Sequence, residues 1–267
     1  MASEKVPLNN VGNSCYINSA LQVFLHTPAL YENLVECFGK TNLLLTLRKG
    51  YCKSSKIQIY DQCDSVLFMN WVLNTMIESG VSSDAWRQSW GGHYTCTECK
   101  VKTPIISHND NMWVIYPPSL LMPSKSIKDE EDREYEYDMG PCLLKQLIEI
   151  VDKNCERCGR STKTKKSMSL ETFPPNLFLN LQHFKKSRML VYEEISIVSQ
   201  GKTQAYSLKG FIIHTGTLNN GHYVIYIKDR DGWHLYDDTT IVKVFDIYAI
   251  LGNAESNQSS PLLWYEK

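Results

Sequence analysis

Asn10-Val11-Gly12-Asn13-Ser14-Cys15-Tyr16-Ile17-Asn18-Ser19-Ala20-Leu21-Gln22 sets a helix start and a cysteine at the same point. Ile17, Ala20, Leu21, Phe24 and Leu25 follow the i, i+3, i+4, i+7, i+8 spacing of a buried helix face. Asn13 and Ser14 suit the N-cap, and Pro28 is the expected stop. Cys15 then falls in the first turn, where unpaired N–H groups and the positive end of the helix dipole favour thiolate over thiol. Asn9, Asn10, Asn13 and Asn18 surround it with amide groups, and an Asn NH2 can donate to a developing oxyanion. A free cysteine is more commonly a buried space-filler, so a catalytic reading needs partners elsewhere in the chain.

His222 supplies one. It opens a predicted strand after Asn219-Asn220-Gly221, and Gly221 leaves room beside the imidazole for a close backbone approach. Asp229-Arg230-Asp231-Gly232 is a turn, and a second strand starts at Trp233. If Lys228 pairs with Trp233, Val224 faces Asp237, and His222, Val224 and Asp237 share a face. Asp237 becomes a diagonal neighbour of His222, about 7–8 Å away between backbones, which two side chains can close. Asp238 points to the other face, and a one-residue slip would exchange the two. The other histidines, His26, His93, His108, His183, His214 and His234, lack a comparable setting and read as ordinary hydrogen-bonded residues.

The rest of the chain bounds the answer. Its 267 residues can bury a sizeable core; 43% are hydrophobic and 21% charged, the balance of a folded soluble domain. The formal net charge of -1 argues against nucleic-acid steering. No apolar run is long enough for a membrane span, and residues 1–5 show no export signal. A reducing compartment, cytoplasmic or nuclear, is therefore expected, with the nine cysteines as thiols or metal ligands. Met69, Val72, Leu73, Met76 and Ile77 predict a helix over about 64–78, and Leu144, Leu147, Ile148 and Val151 a third. From about residue 168 the texture changes to strands at 177–181, 207–213, 222–227 and 233–236. Helices first and strands later predict an α+β fold in a single domain. The charged stretch 125–136 and the polar stretch 252–260 read as surface loops.

Cys96-Thr97-Glu98-Cys99 and Cys155-Glu156-Arg157-Cys158 are two C-x2-C knuckles. Four thiolates on two such turns make a tetrahedral zinc set with no open position, so one structural Zn2+ per chain is expected, bound by Cys96, Cys99, Cys155 and Cys158. A redox reading needs one pair in a thioredoxin-like setting, and none is visible.

The stretch 10–22 resembles the Cys box of the ubiquitin-specific proteases. Gly221-His222-Tyr223-Val224-Ile225-Tyr226, with Trp233 and Tyr236-Asp237-Asp238, resembles their His box. Gln62-Cys63-Asp64-Ser65 with Phe68 resembles the Gln-Asp helix motif, and the strand 177–184 a palm strand; the knuckles stand where a fingers zinc site is expected. Ser14 replaces the usual Thr, Leu67 the usual Glu and His183 the usual Arg.

The resemblance implies a papain-like fold with a helical thumb (about 1–90), zinc-organised β-fingers with a connecting helix (91–167) and a β-sheet palm (168–267). It implies a Cys15–His222–Asp237 triad, Asn10 as oxyanion donor and Asp238 as an auxiliary. Gln62 and Asp64, with Gly221 and Tyr223 of the His box, would line the channel for ubiquitin's tail. The expected activity is thiol-dependent removal of ubiquitin by a monomer that needs no catalytic cofactor. Its partners would be ubiquitin or ubiquitin conjugates, with neither nucleic acid nor membrane. The rivals are a catalytically silent ubiquitin-binding scaffold, a zinc-organised nucleic-acid module, and an enzyme for a ubiquitin-like modifier.

Overall fold

The computed structural model describes residues 5–116, 135–182, 187–217, 220–251 and 262–267. The acidic run 129–132, His183 and the expected loop 252–260 lie outside them. Four helices come first: α1 (Cys15–Leu25), α2 (Pro28–Phe38), α3 (Leu43–Ser55) and α4 (Ser65–Glu78). Helix α1 starts directly after Ser14, and every residue from Cys15 to Phe24 is buried. The apolar stripe in its sequence understates this, because Asn18 and Gln22 are buried too and bond to backbone carbonyls of the preceding segment, Asn9 O at 3.2 Å and Val6 O at 2.7 Å. Pro28 does more than stop α1: it is the first residue of α2, where its missing N–H costs nothing. Helix α4 is capped by Asp64, whose Oδ1 accepts from the N–H groups of Val66 and Leu67 at 2.7 and 2.8 Å.

Strands begin well before residue 168. β1 (Gln88–Cys96) and β2 (Lys102–Asp110) form a hairpin; β3 (Trp113–Ile115), β4 (Tyr135–Asp138) and α5 (Met139–Leu147) follow. Helix α5 ends where the apolar spacing predicted continuation. Ile148 and Val151 lie instead on β5 (Ile148–Cys155), antiparallel to β6 (Arg160–Leu170). Ile148, Ile150 and Val151 are β-branched, and so short a run fits either period until its partner strand is known. The four strands form a sheet in the order β2-β1-β6-β5.

The remaining strands are β7 (Asn176–Leu181), β8 (Ser187–Leu190), β9 (Glu194–Ser199), β10 (Lys202–Thr217), β11 (Asn220–Asp229), β12 (Gly232–Asp237), β13 (Thr240–Val244) and β14 (Leu262–Glu266), with α6 (Ile247–Leu251) before the last. A long sheet runs β13-β12-β11-β10-β14-β7-β3, with β9 beside β10. Its two faces bury two cores, as the period of two requires. Phe178, Ile212, Ile225 and Trp264 face α1 and α4; Leu177, Leu179, Phe211 and Trp233 face away, towards α5 and α6. Helix α1 is thus pressed against β11, which brings the N-terminus of a helix to the start of a strand. Among the described residues no helix is long and apolar enough to cross a membrane.

Candidate active site

The loop before α1 is a tight, self-bonded turn. Gly12 and Asn13 have φ of +80° and +50°, and Ser14 Oγ accepts from Val11 N–H at 3.0 Å. Asn10 Oδ1 accepts from Ser14 N–H at 3.1 Å. An oxygen held by an N–H fixes the amide's orientation, so Asn10 Nδ2 faces an acceptor, Asp238 Oδ2 at 2.9 Å. Asn18 Nδ2 takes the other carboxylate oxygen at 2.7 Å, and Leu8 N–H donates to the Asp238 carbonyl at 3.0 Å. Asp238 is therefore bound into the Cys15 loop.

Across from it the β11–β12 hairpin pairs Lys228 with Trp233 and Ile227 with His234, the register expected from the turn. His222 Nε2 and Asp237 Oδ1 lie 2.6 Å apart. A carboxylate only accepts, so Nε2 carries the proton and Nδ1 keeps the lone pair in the neutral ring. Both side chains are about 40% exposed (42% and 39%), which leaves the pair open to a substrate. Gln62 bridges the two halves: its Nε2 reaches Cys15 Sγ at 3.6 Å and the carbonyl of Gly221 at 3.0 Å. The thiol at the helix start and the residue before His222 thus share one donor.

Gly221 is required by its surroundings. A Cβ there would run into His214 Nε2 and lie 2.8 Å from the carbonyl of Thr215. The ring of His214 packs against that of Tyr223 at a tilt of 33° with centroids 4.4 Å apart, and both residues are buried. Burial holds His214 below its ordinary value of 6.5, with Asp64 pulling the other way. Tyr223 lies in the core facing α1, and burial pushes its hydroxyl up. Of the four residues expected along a substrate channel, Gln62 and Gly221 lie beside the thiol, while Asp64 caps α4 and Tyr223 packs behind the strand. His214 carries no sequence signal, being one of several isolated histidines.

The family described as ubiquitin carboxyl-terminal hydrolase matches residues 37–265, which include Gln62, His222 and Asp237. The chain belongs to the ubiquitin carboxyl-terminal hydrolase family. Curated relatives also align across the Cys15 loop. Ubiquitin carboxyl-terminal hydrolase 17-like protein E of Mus musculus is 25% identical over 97% of this chain and 54% of its own length. Ubiquitin carboxyl-terminal hydrolase 12 of Salmo salar is 23% identical over 100% of this chain and 92% of its own. The chain spans about half the length of the first of these relatives. The fold matches that of the SAGA DUB module protein Ubp8, solved with Sgf11, Sus1 and Sgf73 and bound to monoubiquitin. The TM-score is 0.73 at 17% identity, over 97% of this chain and 68% of that one. In the terms of this ubiquitin hydrolase fold, the α1–α4 helices are the thumb, the long sheet the palm and the four-stranded sheet the fingers.

The four-stranded sheet carries the four knuckle cysteines at its turns. Their sulfurs all lie within 4.8 Å of one another, with Cys96–Cys158 at 3.9 Å and Cys99–Cys155 at 3.5 Å. The cluster could hold a metal ion. A hydrogen bond from the Thr162 hydroxyl pulls the Cys96 thiol down, whereas its neighbour Cys99 pushes Cys158 up.

Proposed function

We propose that this protein hydrolyses the isopeptide or peptide bond after the C-terminal glycine of ubiquitin, through a thioester on Cys15. One contact carries most of the weight: Gln62 bonds both Cys15 Sγ and the carbonyl of Gly221, beside the His222–Asp237 pair. In this reading His222 Nδ1 takes the Cys15 proton, and the thiolate attacks the glycine carbonyl. Asn10 Nδ2 and the Cys15 backbone N–H donate to the oxyanion; one such donor is worth about 3–4 kcal/mol of barrier. The imidazolium gives its proton to the leaving lysine amine, and water then hydrolyses the thioester, returning free ubiquitin and the thiol. Asp237 holds Nε2–H, so the nitrogen facing the chemistry is Nδ1. Gln62 and Gly221 line the slot for the glycine tail, and Asp64 and Tyr223 support its wall from behind.

The metal we assign to the fingers is zinc, in a structural role. A tetrahedron of Zn–S bonds of about 2.3 Å has S···S edges of about 3.8 Å, close to the 3.9 and 3.5 Å found. A single catalytic domain, with the thumb in about 1–90, the fingers and connecting helix in 91–167 and the palm in 168–267 plus the edge strand β3, would act as a monomer in the cytoplasm or nucleus, where thiols stay reduced.

The test is covalent capture. A ubiquitin propargyl probe should add one ubiquitin mass to the parent chain, and Cys15→Ala should abolish the adduct. Labelling that persists in that variant, at Cys37, Cys52, Cys63 or Cys142, would overturn the assignment. Reaction with probes built on a ubiquitin-like protein and not with ubiquitin would change the substrate.

A further inference from the structure

The loop that carries Asn10 and leads into Cys15 is held from beneath by a cation. Arg48, on α3, is buried, with a relative exposure of 2%. Its Nη1 donates to the carbonyl of Val11 at 2.7 Å, and its Nη2 donates to the carbonyl of Gly12. Its guanidinium lies 5.0 Å from the centroid of the Tyr60 ring. Tyr60 closes the other side: its carbonyl accepts from Asn13 Nδ2 at 2.9 Å, and a Cβ on Gly12 would lie 3.3 Å from its ring. Among the described residues Arg48 has no carboxylate partner within ion-pair distance.

A buried cation without an anion is a poor way to gain stability. Two carbonyls and one aromatic face do suit a planar fork that must orient two consecutive peptide units. Those are the units between Val11 and Asn13, midway between Asn10 and Cys15. With both carbonyls aimed at Arg48, the left-handed turn at Gly12 and Asn13 can adopt one orientation only. That orientation sets where the Asn10 side chain and the Cys15 N–H point.

We propose that Arg48 is a positioning residue for the reaction, fixing the Val11–Asn13 turn so that the two oxyanion donors stand ready before substrate arrives. It touches neither substrate nor thiol. The inference rests on the reading of Cys15 as nucleophile and of Asn10 as donor.

The test compares two reactions of one thiol. Hydrolysis of a fluorogenic ubiquitin C-terminal amide needs the oxyanion donors; alkylation of Cys15 by iodoacetamide does not. A displacement of about 1 Å can cost about 10²-fold in rate, so Arg48→Met should lower kcat by roughly 10- to 100-fold. KM and the alkylation rate should stay within about threefold of the parent, because the thiol and the ubiquitin surface are unchanged. Arg48→Lys, which can reach one carbonyl, should recover part of kcat. Tyr60→Leu alters an exposed side chain of the same clamp, so it remains assayable if Arg48→Met fails to fold; a smaller loss in kcat alone is expected. Parental kcat in Arg48→Met overturns the proposal. So does a parallel fall of kcat and alkylation, which marks a structural role only. Parental kcat in Tyr60→Leu overturns it where Arg48→Met cannot be assayed. Activity that survives Cys15→Ala defeats the underlying assignment instead, and the two failures are distinct.

Discussion

Between Asp237 and Asp238 the backbone leaves the strand: Asp238 has φ of +52°, and its carboxylate accepts from Asn10 and Asn18 while staying within 4.8 Å of His222 and Asp237, so it is not turned to the opposite face as the strand period alone predicts. The neighbours therefore differ in effect when truncated. Asp237→Ala removes the acceptor of His222 Nε2–H and should cost up to about 10⁴-fold in kcat, as for an orienting carboxylate in other triads. Asp238→Ala releases the Asn10 amide and should cost about 10²-fold, the scale of one oxyanion donor. KM for a fluorogenic ubiquitin substrate should move little in either. On the proposal that Asp238 acts through Asn10, the double variant Asn10→Ala, Asp238→Ala should be no slower than the worse single variant. Additive losses would separate the two residues. Asp237 was legible because a strand has a period of two and the Asp229–Gly232 turn sets the register. The Asn10–Asp238 bond was not, since no local pattern links residues 228 positions apart.

At the scale of elements, the two knuckles clip the fingers together: Cys96–Cys99 at the end of β1 faces Cys155–Cys158 at the end of β5. β5 is largely exposed, with Ile148 and Ile150 more than half exposed, and the part of β6 paired with it buries only Thr162 and Thr164, so apolar burial contributes little there. The Lys163–Asp152 pair at 2.8 Å is exposed at both ends and worth little. The metal proposed for the four sulfurs would then carry a large share of the local folding free energy. Cys96→Ser, Cys155→Ser should lose the bound zinc and melt at least about 5 °C lower, equivalent to roughly 2 kcal/mol in a chain of this size. Elemental analysis after chelator washing and differential scanning fluorimetry check both parts. A zinc-free parent, or a variant that melts like the parent, would count against the site. The knuckles were visible as spacing, whereas the strands bearing them were not: Ile148 and Val151 fit a helical period as well as a strand, and only pairing with Ser167 and Thr164 separates the two.

For the whole molecule, the thumb–palm seam contains two neutral histidines. His26 donates from Nδ1 to the Gln22 carbonyl at 2.8 Å, and its Nε2 meets the Tyr236 hydroxyl at 3.0 Å; His214 lies behind Gly221. Burial depresses both below 6.5. The unfolded rings take up protons near that value, while the folded rings resist until lower pH. Stability is therefore full above about pH 6.5 and is lost as pH falls through the window below it. The melting temperature should fall between about pH 7.5 and pH 5, and His26→Gln should flatten the fall; a flat parental profile would contradict this. The sequence by itself determined what depends on neighbouring residues: the helical period of α1 and α4, the apolar and aromatic runs of β7 and β11, the hairpin register and the two C-x2-C turns. Tertiary structure alone decided the insertion of β14 between β10 and β7, the bridge from Gln62 to Gly221 and the seating of Arg48 under Val11 and Gly12. Periodicity is a property of consecutive residues and can be read along the chain. A contact across 159 positions, as between Gln62 and Gly221, exists because one core packs α1 and α4 against the palm.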